Sequence, residues 1–301
     1  MRHSPEIEGG NLHDQGKISH LLQERSLNKT IILAGFNYGY KDMLLNMLCR
    51  FEQLNVSNYV IPAFDLKAMS HCIQHDLPCF YAGVDKSDTA QQESKAILAN
   101  TSDVQLYGSK GFEGITKQKS RQTLLVLQLG YDVLWTDVDI FWKQDPRRDV
   151  LTEMENDVNI GIQTDALPTQ CANVNINSGF YYVRQSEATV QVFEEIVKDG
   201  STSSSSEQVS FNNVLCTSKV GTEDCVYEKH MVKTHTLNRF HYPNGSMEKK
   251  MKNGTKLVDF SSDDDIMIVH FNYRRGRETK QKSFQRAGMW LLQGPHSKCI
   301  V

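Results

Sequence analysis

Two carboxylates at the end of an apolar segment carry the clearest chemical signal in the sequence. Asp137 and Asp139 stand one residue apart within the run from Gly130 to Trp142. Residues at this spacing share one face of a strand, and where the strand ends both side chains can turn toward a single cation. Carboxylate oxygens suit Mg²⁺ or Mn²⁺, and unpaired buried charge is costly. The pair therefore predicts a divalent cation site at a strand end, against the alternative of a solvated turn.

Two short polar segments in the second half of the chain could join such a site, although each also has an ordinary structural explanation. Asn177-Ser-Gly179 offers compact polar groups and close backbone approach just before a strand, or it is a simple turn. Glu207 and Gln208 open a helix, where N-terminal capping alone would account for them. Neither pattern identifies a reaction by itself.

A histidine and a basic stretch near the C-terminus are the other candidates. His270 and Asn272 end an apolar strand, where a lone histidine is more often a satisfied polar residue than a ligand. His270 can reach Asp139 only if the final strand of the sheet lies beside the strand that ends in Asp137 and Asp139. The stretch from Arg274 to Lys280 places Gly276 among cations before a helix, which fits either a diphosphate contact or a solvated basic face.

The elements around these residues alternate between strand and helix periodicities. Predicted strands cover residues 30–37, 58–65, 78–82, 158–163, 177–184 and 263–272, besides the segment that carries Asp137. Predicted helices cover residues 40–54, 66–74, 117–130, 187–198, 207–216 and 279–292. Residues 201–206 are expected to be a loop, and 227–237 strand or irregular. The alternation predicts an α/β fold with a mixed, mainly parallel central sheet flanked by helices. Residues 1–26 are expected to be a flexible polar segment, and residues 27–301 a single domain.

Bulk composition narrows the class of partner. The chain has 301 residues, 39% of them hydrophobic, which is enough for a sizeable core. With a net charge of −3, the chain has no excess of positive charge that would attract nucleic acid. No stretch approaches the ~20 apolar residues that cross a bilayer.

Sequons and cysteines bear on the cellular compartment. Five Asn-x-Ser/Thr sequons begin at Asn28, Asn55, Asn100, Asn244 and Asn253. Seven cysteines occur, and the spacings of Cys72 with Cys79 and of Cys216 with Cys225 suit short-loop disulfides. These features predict residence in the secretory lumen, with a membrane anchor or signal outside this sequence. The alternative is a cytosolic protein with ordinary buried cysteines.

Taken in order and spacing, these patterns resemble the nucleotide-diphospho-sugar transferase family, metal-dependent glycosyltransferases of the Rossmann-type GT-A fold. The similarity is to plant rhamnogalacturonan xylosyltransferases and related family 77 arabinosyl- and galactosyltransferases, and it runs from about Thr30 to Leu292. The segments that carry it are Gly35-Phe-Asn-Tyr38, Asn46-Met-Leu-Cys49, Ala63-Phe-Asp65, Leu129-Gly-Tyr-Asp-Val-Leu-Trp-Thr-Asp-Val-Asp139 with Asp145-Pro146, Asn177-Ser-Gly179, Glu207-Gln208, Phe240-His-Tyr-Pro-Asn-Gly245 and His270-Phe-Asn272.

The resemblance implies a site and a reaction. Mn²⁺ or Mg²⁺, held by Asp137, Asp139 and His270, would meet the diphosphate of a nucleotide sugar, which the resemblance implies to be UDP-linked. Further donor contacts are implied for Gly35, Phe36, Asn37 and Asp65 around the nucleoside, Lys119 or Arg121 at the ribose, phosphates or sugar, and Gly276 and Lys280 at the diphosphate. The sugar, of xylose, galactose or arabinose type, would pass to a glycan, glycoprotein or glycolipid acceptor in the Golgi.

The implied chemistry retains the anomeric configuration. Gln208 stands where related enzymes place a group on the sugar's β-face, and Asn177 would orient the sugar. An amide is a poor nucleophile, so Gln208 favours front-side departure over a covalent double displacement. Glu207 is a nearby carboxylate whose direction the sequence does not define.

Two other classes of protein remain as alternatives. One is a sugar- or nucleotide-binding protein of the same fold without turnover, which intact Asp137, Asp139 and His270 disfavour. The other is a metal-dependent phosphohydrolase or nucleotidyltransferase, which usually has a second cluster of ligands for a second metal. Asp263-Asp-Asp265 is the candidate cluster, but it begins the strand that His270 ends, so it is expected to be a solvated turn.

Overall fold

The computed structural model describes residues 15–83, 110–155, 157–166, 170–202, 206–220, 223–248, 258–293 and 298–299. The helices are α1 (Gln15–Arg25), α2 (Lys41–Gln53), α3 (Leu66–Gln74), α4 (Lys110–Gln128), α5 (Arg147–Glu153), α6 (Glu187–Thr202), α7 (Glu207–Leu215) and α8 (Arg277–Arg286). The strands are β1 (Thr30–Leu33), β2 (Tyr59–Ala63), β3 (Cys79–Tyr81), β4 (Asp132–Thr136), β5 (Ile140–Trp142), β6 (Ile160–Thr164), β7 (Ile176–Val183), β8 (Ser218–Val220), β9 (Asp224–Tyr227), β10 (Val232–Thr236), β11 (Ile268–His270), β12 (Leu292–Gln293) and β13 (Lys298–Cys299).

The main sheet reverses its winding direction between β1 and β4. The strand order is β3-β2-β1-β4-β7-β6-β10-β9-β8, so the chain builds outward from β1 to β3 and then returns to the other side of β1. Strands β1 to β4 are parallel. The loops that leave β1 and β4 therefore diverge from neighbouring strand ends, the position where open α/β sheets form a ligand crevice.

One antiparallel strand brings a further segment to the same edge of the sheet. β7 lies between β4 and β6 and is antiparallel to both. Its first residues consequently stand beside the last residues of β4 and β6. The observed sheet confirms the predicted mixed, mainly parallel architecture with flanking helices.

Both faces of the sheet are covered, which explains why its central strands are apolar at consecutive positions. Ile31 and Leu33 belong to one buried cluster and Ile32 to the other, because successive side chains of a strand point to opposite faces. β4 repeats the pattern, with Val133 on one face and Leu134 on the other. A two-sided core of this kind holds the strand ends rigidly in register.

A short ribbon outside the main sheet carries the C-terminal candidate residues. β11 pairs antiparallel with β5, and His270 stands opposite Ile140. The prediction of a long strand over residues 263–272 was wrong in extent, since only Ile268–His270 is strand. Asp263, Asp264 and Asp265 are exposed in the preceding turn, as expected.

The expectation of a flexible segment over residues 1–26 was wrong for residues 15–25. Gln15–Arg25 is helix α1, with Ile18 and Leu22 buried in the core, whereas a flexible segment was expected there. Residues 1–14 lie outside the described part of the chain, as do residues 203–205 of the expected serine-rich loop. Residues 224–236 form the hairpin of β9 and β10. The region 227–237, expected to be strand or irregular, is therefore mainly strand.

Three disulfides join the described cysteines. Cys72–Cys79 and Cys216–Cys225 confirm the two predicted spacings, and Cys49–Cys299 was not anticipated. Cys171 is exposed and unpaired among the described residues.

Asn46, on the same helix as Cys49, makes two hydrogen bonds to the C-terminal segment. It donates to the Met289 carbonyl (3.1 Å) and accepts from the Leu291 N–H (2.5 Å). The Asn46–Cys49 motif therefore holds the C-terminal segment on α2.

Candidate active site

The two carboxylates lie in a tight turn between β4 and β5. The Asp137 N–H donates to the Gly179 carbonyl (2.8 Å), which continues the β4–β7 pairing by one residue. The Ile140 N–H then donates back to the Asp137 carbonyl (3.0 Å), closing the turn. Asp139 is only 7% exposed, so its charge needs partners within the protein.

The β5–β11 ribbon delivers the histidine to this turn. Ligand atoms of Asp137, Asp139 and His270 all lie within 4.8 Å of one another. The His270 Nε2 is 3.4 Å from the Asp139 Oδ1. The final strand thus reaches the site by pairing with β5 and not, as the sequence suggested, by returning beside the strand that ends at Asp137.

A buried glutamine fixes the orientation of the imidazole. His270 Nδ1 is 2.8 Å from the Gln163 Oε1, and the Gln163 amide nitrogen donates to the Tyr242 carbonyl (2.9 Å). Because Gln163 uses its nitrogen as a donor, its oxygen is an acceptor and His270 carries its proton on Nδ1. Nε2 is therefore the ring nitrogen that faces the two carboxylates, and a metal-binding imidazole is supported through its other nitrogen in the same way.

Two lysines neutralise the carboxylates. Lys119 on α4 is 2.7 Å from the Asp137 Oδ2 and 3.7 Å from the Glu207 Oε1, and Lys280 on α8 forms an ion pair with Asp139. Burial alone would lower the Lys119 pKa, but Asp137 and Glu207 raise it above its ordinary value. Burial likewise opposes ionisation of Asp139, yet Lys280 and His270 hold its pKa well below the usual range.

Glu207 lies behind the carboxylate turn. It is 2% exposed and hydrogen-bonds to Ser178 and Thr116. Burial raises its pKa, Lys119 lowers it, and Asp137 raises it further. This placement fits a residue that positions Lys119 more readily than one that touches a substrate.

A glycine leaves the space between the ligands open. A Cβ at Gly179 would lie 2.4 Å from the His270 Cε1 and 3.0 Å from the Asp137 Oδ2. The absence of a side chain at residue 179 therefore permits the approach of β7, His270 and Asp137. Two carboxylates and one imidazole around this space form a donor set that could hold a divalent metal ion such as Mg²⁺ or Mn²⁺.

Asp165 joins three amide side chains next to the ligand group. Its Oδ2 accepts from Asn177 (2.8 Å) and Gln208 (3.2 Å), and its Oδ1 accepts from Asn272 (3.0 Å). These residues follow β6, begin β7, begin α7 and follow β11, so one carboxylate connects four segments. The Asn177 Oδ1 also accepts from the Gly179 N–H (2.7 Å). Asn177 and Gln208, which the sequence suggested separately, are thus brought together.

The loop after β1 lies beside the β4 end of the crevice. A Cβ at Gly35 would lie 2.4 Å from the Phe64 ring and 2.9 Å from the Trp135 ring, so packing requires glycine there. Phe36 and Asn37 are both buried. Asp65 caps α3 by accepting from the Ala68 N–H (2.9 Å), and it also accepts from the Tyr38 N–H (2.8 Å). Asp65 thereby shapes this loop from behind.

The positions of Arg121 and Gly276 follow from the helices that they belong to or precede. Arg121 follows Lys119 by two residues, roughly 200° around the α4 axis, so the two side chains point to different sides of the helix. Gly276 precedes α8 with a positive φ of 77°, which glycine adopts readily, and its carbonyl accepts from the Lys280 N–H (3.2 Å). Gly276 therefore starts the helix that presents Lys280.

Three residues of the site were missed in the sequence. Asp165 directly follows buried β6 as Asp137 follows β4, so the rule applied to Asp137 would have found it. Gln163 is a polar residue at the end of an apolar strand, which was a readable signal. Tyr40 gave no signal, yet burial and the Asp139 carboxylate raise its pKa to about 12, which keeps the phenol neutral.

We expect replacement of Gln163 by leucine to weaken metal binding without removing a ligand. The leucine cannot accept from His270 Nδ1, so the imidazole loses the contact that fixes its proton and its orientation. Loss of such a support typically costs about 10- to 100-fold in affinity. Calorimetric titration with Mn²⁺ measures the effect, and Gln144→Leu, which removes an exposed glutamine, is the control. Equal affinities for the Gln163 variant and the unaltered protein would contradict this account of His270.

A family profile and several curated proteins match this sequence. The profile of a family described as nucleotide-diphospho-sugar transferase matches residues 54–284. Beta-arabinofuranosyltransferase RAY1 of Arabidopsis thaliana is 29% identical over 282 residues, covering 91% of this chain and 50% of that protein. UDP-galactose:fucoside alpha-3-galactosyltransferase of Dictyostelium discoideum is 26% identical over 300 residues, covering 88% of this chain and 43% of that protein. The chain thus spans about half the length of these curated relatives.

Among solved structures, the galactosyltransferase LgtC in complex with donor and acceptor sugar analogs aligns with a TM-score of 0.49 and 10% identity. The alignment covers 88% of this chain and 98% of that chain.

Proposed function

Because this chain belongs to the nucleotide-diphospho-sugar transferase family, we propose that it transfers a sugar from a nucleotide-diphosphate donor, with a divalent cation bound by Asp137, Asp139 and His270. The observation that carries the proposal is the meeting of these three side chains, within 4.8 Å, where β4 ends beside β1. A phosphohydrolase with a second metal beside the first finds less support, since Asp263 to Asp265 are exposed at the opposite end of β11.

The charges of the site favour a cation and a diphosphate entering together. Asp137 and Asp139 are balanced by Lys119 and Lys280. A divalent cation alone would add two positive charges to a largely buried site, and a donor diphosphate alone would add two negative ones. Together they leave the balance unchanged, so each should strengthen binding of the other.

The protein's own residues have separate tasks in this proposal. A bound Mn²⁺ or Mg²⁺ would act as a Lewis acid that stabilises charge on the departing diphosphate. Lys119 and Lys280 offer ammonium groups that can shift from the carboxylates to phosphate oxygens. Gly35 and Asn37 form the floor of the loop proposed to receive the nucleoside, and Asp65 holds that loop in shape.

The sugar would lie over the amide cluster around Asp165. Gln208 donates its amide nitrogen to Asp165, which orients the amide and leaves its oxygen available. An amide oxygen can stabilise positive charge that develops at the anomeric carbon, but it is a poor covalent nucleophile. Asn177 is held by the same carboxylate and would orient the sugar hydroxyls. This arrangement supports front-side departure with retained configuration.

The proposal is tested by incubating the protein with a panel of UDP-sugars carrying xylose, galactose or arabinose. With Mn²⁺ we expect slow release of UDP that depends on the sugar and quickens with a suitable glycan acceptor. EDTA should abolish the release. Equal release from every donor, or hydrolysis of simple phosphate esters, would favour a phosphohydrolase. Tight donor binding without any turnover would favour a binding protein.

We also propose that the protein works in the secretory lumen, in the Golgi. The three disulfides support an oxidising compartment. Within the described residues, no helix has the length and apolar character needed to cross a membrane.

The sequons make the location testable. Asn28 and Asn55 are exposed, whereas Asn244 is 2% exposed and donates to the Thr164 carbonyl (3.0 Å). After expression with a signal peptide, we expect glycans on Asn28 or Asn55 and none on Asn244. Mass spectrometry of glycosidase-treated peptides distinguishes these sites. Glycan on Asn244 would mean that this segment is not buried in the folded protein.

A further inference from the structure

A second group of potential metal ligands lies away from the carboxylate turn. Asp149 and Glu153 stand one turn apart on α5, and His241 follows β10. Ligand atoms of these three residues lie within 4.8 Å of one another. His235 on β10 adds a second imidazole, with its Nε2 3.9 Å from the Glu153 Oε2. These four residues are called the His241 cluster below.

Two buried atoms of the cluster lack the hydrogen bonds that buried polar atoms normally make. Within the described part of the chain, the Glu153 Oε1 and the His241 Nδ1 are both shielded from solvent and make no hydrogen bond. They face each other at 3.6 Å, and the Asp149 Oδ2 is 3.9 Å from the same nitrogen. Buried atoms left unbonded are costly, and their convergence indicates a missing partner between them.

The remaining atoms of the cluster are already held by neighbours. The Asn238 N–H donates to the Glu153 Oε2 (2.7 Å), and the Tyr242 hydroxyl donates to the Asp149 Oδ2 (2.7 Å). His235 Nδ1 lies 2.6 Å from the Asp224 Oδ1, which leaves Nε2 facing the cluster. A carboxylate on one imidazole nitrogen, with the other nitrogen directed at a shared centre, is the usual support of a metal-binding histidine.

The distances and charges suit a small cation. Ligand atoms about 2.0–2.1 Å from a tetrahedral Zn²⁺ are separated by roughly 3.4 Å. The His241 Nδ1 lies slightly farther than this from the Glu153 Oε1 (3.6 Å) and from the Asp149 Oδ2 (3.9 Å). Two carboxylates and two neutral imidazoles would balance the charge of one Zn²⁺. Lys233, which lies 3.1 Å from the Asp224 Oδ2 and 3.1 Å from the Asp157 Oδ2, offsets part of the negative charge of Asp224.

We infer that the His241 cluster is a structural zinc site, with Asp149, Glu153 and His241 as ligands and with His235, whose Nε2 lies outside their 4.8 Å group, moving in as the fourth. It ties α5 and β10 to the segment that supports β11, since the His241 carbonyl accepts from the Met267 N–H (2.8 Å) and the Ile268 N–H (3.3 Å). The site therefore stabilises the strand that delivers His270. The inference does not depend on the proposed transfer reaction.

The test uses a chain in which Asp137→Asn and Asp139→Asn remove the first set of ligands. Calorimetric titration with zinc chloride is expected to show one site per chain. His241→Gln in this background should lower zinc affinity at least about tenfold, and Glu153→Gln should do the same. His75→Gln, which changes an exposed histidine, is the matched control and should leave the affinity unchanged.

A second readout needs no substitution in the cluster. Zinc should raise the thermal unfolding midpoint of the same chain, magnesium at equal concentration should not, and EDTA should reverse the rise. An unchanged midpoint together with absent zinc binding would overturn the inference. So would zinc affinity that survives in folded His241→Gln and Glu153→Gln variants, which would reduce the cluster to ion pairs.

Discussion

Replacing Asp139 with asparagine is expected to lower the transfer rate by at least ~1000-fold, corresponding to about 4 kcal/mol of lost transition-state stabilisation. The amide keeps the shape of the side chain but removes the charge that a divalent cation requires. Mn²⁺ affinity and donor affinity should fall together, because each depends on the other for charge balance. Release of UDP from a donor and calorimetry with Mn²⁺ measure the two effects separately.

The same change should leave most of the fold intact. The Asp139 carbonyl still accepts from the Phe271 N–H (2.9 Å), so the turn remains paired with the segment after β11. Lys280 loses its partner and would turn toward solvent. Asp264→Asn removes an exposed carboxylate and is the matched control, with unchanged rate. Retention of more than a tenth of the activity in Asp139→Asn would contradict a role in metal binding.

Adding one methyl group at Gly179 is expected to disable the site nearly as completely. The new Cβ would lie 2.4 Å from the His270 ring, closer than real contacts reach, and 3.0 Å from the Asp137 carboxylate, which is a tight contact. Either the imidazole or β7 must move, and a displacement of about 1 Å can cost 100-fold in rate. We also expect a loss of ~1–3 kcal/mol in the free energy of unfolding, typical of overpacking in a dense region.

A second glycine provides the control for this experiment. A Cβ at Gly200 in α6 would make only ordinary contact, 3.5 Å from the Ser210 hydroxyl. Gly200→Ala should therefore keep full activity, and it should stabilise the helix by roughly 0.5–1 kcal/mol. Urea unfolding and UDP release from both variants give the comparison. Normal metal affinity in Gly179→Ala would show that the ligands do not converge as described.

The sequence predicted the residues of the site better than it predicted how they meet. Asp137 and Asp139 could be identified because an apolar strand followed by two acids is a local pattern. His270 is 131 residues from Asp139, and its approach depends on the pairing of β5 with β11. A three-residue ribbon of this kind leaves no periodicity to detect. The final strand was therefore expected beside the strand that ends at Asp137, although it pairs with the next one.

Some motif residues have contacts that support the fold. The Asn46–Cys49 segment fastens the C-terminal segment to α2 through hydrogen bonds and a disulfide. Asp65, suggested as a nucleoside contact, caps α3 and holds Tyr38. Residue type alone does not separate these tasks, because a carboxylate that caps a helix and one that binds a ligand look alike in a sequence. Only the partners seen in three dimensions distinguish them.

The most direct test of the central claim is an X-ray structure with Mn²⁺ and UDP bound, using anomalous scattering to locate the manganese. The account predicts one strong peak roughly 2.1–2.3 Å from oxygens of Asp137 and Asp139 and from the His270 Nε2, with both phosphates of UDP beside Lys119 or Lys280. Manganese located only at other residues, or UDP bound at the strand ends with no metal between it and the carboxylates, would contradict the account.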